Sequence, residues 1–400
     1  MKVTSWGESL LKEGLEMEDR LVAFRRDLHR NPELSHQESR TAAKVLAAIE
    51  GLGLKIRTQV GGHGIVADLQ GGSPGPLIAL RADMDALPIA EETDLPFASE
   101  VPGVMHACGH DGHTAILLGA VSLLAARKEQ LHGSVRFLFQ GAEEINAGAK
   151  AMIEDGALEA VDEIYGLHNL PTLPAGQAAT RYGSLMGSVD RFEIQLEGKG
   201  GHGAIPDQSI DPVVAASAIV MALQTAASRE ISPFDPVVVT VGSIHAGEAN
   251  NVIPHRAELT GTVRTFSPDV QRQMKERLER LIVRISEGYR CKAKLNYIEQ
   301  TPVLVNHDDP VRHVEDTVDA LIGRERRIEA APTMAGEDFS IYLQHVPGCF
   351  FWLGSGPPVG AEQAFGLHHP RFTLNEACLP LGAALLSAIA FRRLIGQNER

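Results

Sequence analysis

Apolar positions change their period several times along this 400-residue chain. Over residues 17–30 they recur at helical spacing (Leu21, Val22, Phe24, Leu28). Pro32 then ends the run, because the residue before a proline is pushed out of the helical region. "TAAKVLAAIEGLG" predicts a second helix closed by Gly51 and Gly53. "GIVADL" and "LIALRADMDAL" are β-rich runs on either side of "QGGSPGP", which predicts a turn. "HTAILLGAVSLLAARKEQL" predicts a long helix, followed by strands at "SVRFLFQ" and "EIYGLHN". Strands alternating with helices indicate βαβ units on a mainly parallel sheet covered on both faces.

Near Gly187 the pattern changes. A strand over 190–197 is followed by a Gly-rich loop, a helix over 212–228, strands over 236–244 and 256–266, a helix over 268–288 and a strand over 292–299. That β-α-β-β-α-β order is the ferredoxin-like unit, here in roughly 110 residues. The α/β pattern then resumes and ends in the apolar "LPLGAALLSAIAFRRLIG". The expected organisation is α/β, a large domain made of residues 1–186 and 301–400 with a small α+β domain, 187–300, inserted into it.

Composition narrows the function classes. The chain is 44% hydrophobic and 22% charged, an ordinary globular balance. With 37 basic against 51 acidic side chains its net charge is −14, which speaks against nucleic acid or an anionic membrane as partner. Four cysteines form no disulfide framework, and Cys291, Cys349 and Cys378 read as buried thiols. "MKVTSWGESLLKEG" lacks the apolar core of a signal peptide and no 18-residue apolar run follows, so a cytoplasmic location is expected.

The chemistry concentrates in "VMHACGHDGHTA", where His106, Cys108, His110, Asp111 and His113 fall within eight residues. A thiolate and an imidazole suit zinc or a similar first-row ion, and a position just before a helix favours thiolate over thiol. Asp83 and Asp85 end one predicted strand, and Glu143 and Glu144 directly follow another. Two adjacent carboxylates on extended backbone point opposite ways, so one can bind a metal while the other serves as general base. His168 is read at a further strand end, and His368 and His369 in the loop before the last helix. Taken singly, each of these reads as readily as a solvated turn or a satisfied core residue. Together they fall on the edge of an open α/β sheet where ligands bind. Cys108, His110, one glutamate, His168 and one C-terminal histidine would serve two metal ions roughly 3.5–4 Å apart, with a carboxylate to spare. In the inserted domain, His202 lies in a Gly-rich loop, Asn251 in another, and Arg264 on a strand, where a guanidinium suits bidentate grip of a carboxylate.

"RRDLHRNPELSHQE", "RADMDALPIAEET", "MHACGHDGHTA", "FQGAEE", "GLHNLP", "GGHGAIPD", "NVIPHRAELTGTVRTF", "MAGEDF" and "LHHPRF" occur in order from about Leu21 to the last helix. In this the chain resembles the co-catalytic metallo-amidohydrolases, in the branch of hippurate hydrolases, N-acyl-L-amino-acid amidohydrolases and auxin-conjugate hydrolases. The resemblance implies a zinc-exopeptidase-like catalytic domain interrupted by a lid that commonly mediates dimerisation. It implies two divalent ions per subunit (Zn, Mn, Co or Ni) on Cys108, His110, Glu144, His168 and His368. Glu143 would be the general base and Asp85 the residue orienting a liganding histidine. His202 would stabilise the oxyanion from a neighbouring subunit, and Asn251 and Arg264 would hold the substrate carboxylate.

Two departures from the family's pattern stand out. Distant relatives carry His-x-Asp where this chain has Asp83-Met84-Asp85, and many close relatives have Ser or Asn at the position of His369. The role of Asp83, the choice of His368 over His369, and the part played by Gly336, Glu337 and Asp338 stay open at this point. The expected reaction is hydrolysis of an N-acyl amino acid to a carboxylic acid and a free amino acid. Dipeptidase, carboxypeptidase and N-acetyl-diaminopimelate deacetylase reactions use the same constellation. A metal-binding protein with a decayed site is the alternative outside enzymes, and an intact Glu143 beside a full ligand set speaks against it.

Overall fold

The computed structural model describes residues 5–358 and 364–395; the ends of the first and last predicted segments, 1–4 and 396–400, lie outside the described residues. Two compact units are formed. One comprises Met1–Leu185, Val305–Ala331 and Ile341–Arg400, the other Met186–Leu304 and Pro332–Ser340. The return of Pro332–Ser340 to the second unit is invisible in the alternation of elements, because the segment carries no periodicity of its own.

The first unit is α/β. Its eight-stranded sheet runs in the order Lys55–Val60, Gly64–Gln70, His132–Gln140, Ser73–Asp83, Glu163–Pro174, Gly348–Gly356, Ala178–Thr180, Arg327–Glu329. The central pairings, from His132–Gln140 to Gly348–Gly356, are parallel, and the first two strands are antiparallel additions. Central strands are buried along their length: the last six residues of His132–Gln140 and all nine of Gly348–Gly356. That is why they read as continuous apolar runs rather than alternations. Helices His110–Ala125 and Cys378–Leu394 are buried almost all round and share one core cluster, as expected of helices apolar on every face.

Four details differ from expectation, each for a local reason. Lys55–Val60 was not predicted, because an edge strand this exposed carries mostly polar side chains. "SPGP" is no turn: the strand starts at Ser73, and its register shifts between Ser73 and Leu77, where Pro74 and Pro76 have no N–H for the ladder. The long helix starts at His110, three residues early, behind Gly109 at φ 86° and with Asp111 in its first turn. His168 lies inside Glu163–Pro174 rather than at its end. The pairing of that strand with Ser73–Asp83 stops at Arg81↔Gly166, so His168 still projects beyond its neighbour.

The second unit is the ferredoxin-like α+β fold. Its antiparallel sheet has the order Val237–His245, Arg256–Thr265, Val189–Glu197, Lys292–Thr301. Phe192, Ile194 and Leu196 alternate into its core, and helix Pro268–Gly288 buries Val270, Met274, Leu278 and Ile282 at four-residue spacing. Helix Pro212–Glu230 is capped by Asp211, whose carboxylate accepts from Val213 N at 2.8 Å. By length and composition this helix is long and apolar enough to cross a membrane. Here it packs Ala215, Ile219 and Leu223 into the unit's own core.

Candidate metal centre

Of the five polar groups in the "HACGHDGH" segment, two are paired within the protein and a third stands apart from the other two. Asp111 is ion-paired with Arg25, whose Nε is 2.6 Å away, and its Oδ2 lies 2.8 Å from His29 Nδ1, so this buried charge is paired. His113 places Nδ1 2.6 Å from Asp83, and its Nε2 accepts the Asn169 N–H at 2.9 Å. Both ring nitrogens are used, which leaves none for a metal. His106 is buried with both ring nitrogens unpartnered, and burial pushes it down to about 4, so it is held neutral; among the described residues it joins no cluster of candidate ligand atoms.

Cys108 and His110 remain, and the fold brings three distant groups to them. Cys108 Sγ lies 3.3 Å from His168 Nε2, and His110, Cys108 and His168 offer ligand atoms all within 4.8 Å of one another. Glu144 and His368 complete a second such group with Cys108, His368 Nε2 being 3.5 Å from Glu144 Oε2. The loop carrying His368 is tied down by its N–H, which donates to Ala107 O at 2.9 Å. His369 instead stacks on Phe365 with centroids 4.4 Å apart, and its Nδ1 accepts the Arg371 N–H. In the described residues it is therefore His368, not His369, that joins the cluster.

Glu143 and Glu144 leave the strand end through a tight turn. Ala142 is left-handed at φ 57°, a conformation costing a non-glycine residue on the order of 1 kcal/mol. Glu143 is buried, and its carboxylate shares a group within 4.8 Å with Glu144 and His110. Asp85 Oδ2 accepts the Glu144 N–H at 3.0 Å and the Ser35 hydroxyl at 2.7 Å. Its Oδ1 stands 3.4 Å from His110 Nδ1, off the line of a hydrogen bond.

Asp83 is a different case. It sits 3.8 Å from His110 Nε2, but its Oδ2 is paired with Arg81 at 2.7 Å and its Oδ1 with His113. Burial alone would raise it, yet His110, Arg81 and His113 hold it well below the usual carboxylate range. Asp83 is thus already paired with an arginine and holds His113 at the helix start, although its carboxylate also lies within 4.8 Å of ligand atoms of His110 and His113. Asn169 was missed by sequence reasoning altogether. Its Nδ2 donates to Cys108 O at 2.6 Å, and its backbone carbonyl accepts His168 Nδ1–H at 2.7 Å, which leaves His168 Nε2 directed at the cluster. Its only signal was its place next to a candidate histidine.

The donor set fits divalent cations. Asp85 Oδ1, both nitrogens of His110 and Glu144 Oε1 are buried with no hydrogen-bond partner, a costly arrangement for protein alone. Burial pushes the Cys108 thiol well up and the Glu144 carboxyl up to about 7 against the opposing pull of His110, so a cation held among them would favour the anionic forms a ligand needs. Burial holds His168 well below its ordinary value, in the neutral form a ligand needs. A soft thiolate with imidazoles and a carboxylate selects first-row ions of the zinc type.

The other expected residues belong to the second unit. His202 is exposed on the short strand Gly201–His202, paired with Val252–Ile253, and Gly203 N–H donates to Asn251 O at 2.8 Å. Arg264 is half-buried on Arg256–Thr265 and its guanidinium has no hydrogen-bond partner among the described residues. Gly336 packs against it: a Cβ there would lie 3.2 Å from Arg264 Nη1 and collide with Val189. Glu337 and Asp338 are buried in the same segment.

Comparisons with known proteins agree with this chemistry. N-acetyl-L-cysteine deacetylase of Bacillus subtilis is 42% identical over 96% of this chain and 90% of its own length. IAA-amino acid hydrolase ILR1-like 2 of Arabidopsis thaliana is also 42% identical, over 95% of this chain and 86% of its own. The crystal structure of a dinuclear metal-binding M20 peptidase from Bacillus subtilis superposes with a TM-score of 0.83 at 39% identity, covering 95% of this chain and 99% of the other. The sequence profile of Peptidase family M20/M25/M40 matches residues 79–392, well over half the chain and every candidate ligand, so the protein belongs to that family of hydrolases.

Proposed function

We propose that the protein is a metal-dependent amidohydrolase that cleaves N-acyl amino acids to a carboxylic acid and a free amino acid. One observation carries the reading: Cys108, His110, Glu144, His168 and His368 converge, with both His110 nitrogens and Glu144 Oε1 buried and unpartnered, beside a second carboxylate, Glu143. The names of the relatives support the substrate class. Two divalent ions on those five residues would polarise the acyl carbonyl and lower the pKa of water at neutral pH. Glu143 takes the proton of the attacking water and passes it to the leaving nitrogen. Asp85 orients His110, and Asn169 fixes the tautomer of His168. His202 is assigned the oxyanion, from a neighbouring subunit, and Asn251 and Arg264 the substrate carboxylate. The unpartnered guanidinium of Arg264 supports the last of these.

Metal analysis of the purified protein, with activity on hippurate, N-acetyl amino acids and dipeptides, tests the reading. About two first-row ions per chain and a preference for acyl amino acids are expected; turnover of dipeptides alone would make it a peptidase. In the same panel, R264A should lose about 10–100-fold in kcat/KM on free acids, the value of a charge-assisted hydrogen bond, and little on their carboxamides. A mutant that still prefers the free acid places the grip elsewhere.

A homodimer through the second unit is part of the proposal. Val213, Val214 and Met221 on one helix and Val238 and Ile244 on the edge strand Val237–His245 are exposed apolar side chains there. V214D/M221D should sediment as a monomer where the parent sediments as a dimer, and a monomeric parent ends this part of the reading.

A further inference from the structure

Glu38, at the end of the "NPELSHQE" stretch, has no part in the chemistry above, yet it is buried, with only 1% of its surface exposed. Glu38 flanks the start of helix Ser39–Ile49, where a carboxylate ordinarily caps the helix, but its side chain makes no cap hydrogen bond. Glu33 does that work, accepting Arg40 N at 3.0 Å and Thr41 N at 2.7 Å. Freed from the helix, Glu38 Oε1 accepts the Ala142 N–H at 2.8 Å and its own loop's His36 N–H at 3.0 Å. Ala142 is the left-handed residue immediately before Glu143. Gly141 lies flat on the same carboxylate: a Cβ there would come within 2.7–3.0 Å of it.

The rest of the turn is tied as well. Gln140 Oε1 accepts from Arg81 Nε at 2.9 Å and Tyr342 Oη at 3.0 Å, and Glu144 N–H donates to Asp85. Between those anchors the direction of the Glu143 side chain is set by the backbone at Ala142, whose left-handed conformation is unfavourable for alanine in isolation. A charged acceptor on the Ala142 N–H stabilises that conformation more strongly than water or a neutral group does. Relaxation of Ala142 to an ordinary backbone region would re-aim Glu143.

We infer that Glu38 is a positioning residue for the general base, holding the Ala142 peptide so that Glu143 faces the reacting water. This rests on the assignment of Glu143 made above. Displacements of about 1 Å in a catalytic group cost on the order of 100-fold in rate. E38A should therefore lose about 10–100-fold in kcat, with KM and metal content near the parent's. E38M fills the same volume without an oxygen and should match E38A; it also serves where E38A fails to fold. E38Q retains an oxygen that can accept the Ala142 N–H and should recover to within about threefold of the parent, a rescue that loss of packing alone does not produce. Parental kcat in E38M, or E38Q as slow as E38M, overturns the inference. So does loss of metal in E38M, which would move the effect to Glu144. E143A measured alongside separates the two levels: a fast E143A removes the underlying assignment, whereas a slow E143A with a fast E38M removes only the role of Glu38.

Discussion

E143A will bind its metals normally and lose about 10²–10⁴-fold in kcat, the range that a positioned proton-transfer group contributes. The middle of that range corresponds to about 4 kcal/mol of transition-state stabilisation. The expectation follows from a division of labour between neighbours. Glu144 lies with Cys108 and His368, while Glu143 leaves the same backbone as a second, separate buried carboxylate. Truncating Glu143 removes a proton acceptor without removing a ligand, so KM and metal stoichiometry stay within about threefold of the parent's. Elemental analysis with steady-state kinetics on one sample decides it, and near-parental kcat would strike Glu143 from the base role.

Loss of Cys108 acts on binding instead. C108A removes the one group common to both ligand clusters, His110–His168 and Glu144–His368. Metal content should fall from about two ions per chain to one or fewer, and turnover by at least about 10³-fold, since a site lacking an ion supplies neither activated water nor a polarised carbonyl. Stability gives an independent readout. A ligand present at 100 times its Kd stabilises the folded state by about 2.7 kcal/mol, and that increment vanishes with the site. The gap in Tm between metal-loaded and chelated protein should shrink in C108A. The chelated proteins should melt close together, because a buried thiol held protonated behaves as a small apolar group. Unchanged metal stoichiometry would reject Cys108 as a ligand.

Much of this centre was readable in one dimension. The periodicities of "SVRFLFQ" and of residues 268–288 reflect which faces are buried, and burial patterns follow directly from side-chain chemistry. The family motifs carried the candidate ligands and Glu143. Other features had no local signature. Nothing in "HDGH" separates His110 from His113; the difference is that Asp83 and Asn169, 30 and 56 residues away, occupy both nitrogens of His113. "HHP" offers two equivalent imidazoles until Phe365 stacks on one and Glu144 faces the other. Asp83 had no role that its position could decide, and it is an ion-pair partner because Arg81, two residues back on the same strand, points the same way.

The amino-acid order thus dictated the elements, the apolar faces and the supply of donors, all of which depend on neighbours along the chain and on hydrophobic burial. Which donors are left with lone pairs to share was settled by folding alone. Hydrogen-bond saturation is a property of groups meeting in space, and Arg81, Asn169, and Ser35 with Glu38 come to the centre from three separate segments.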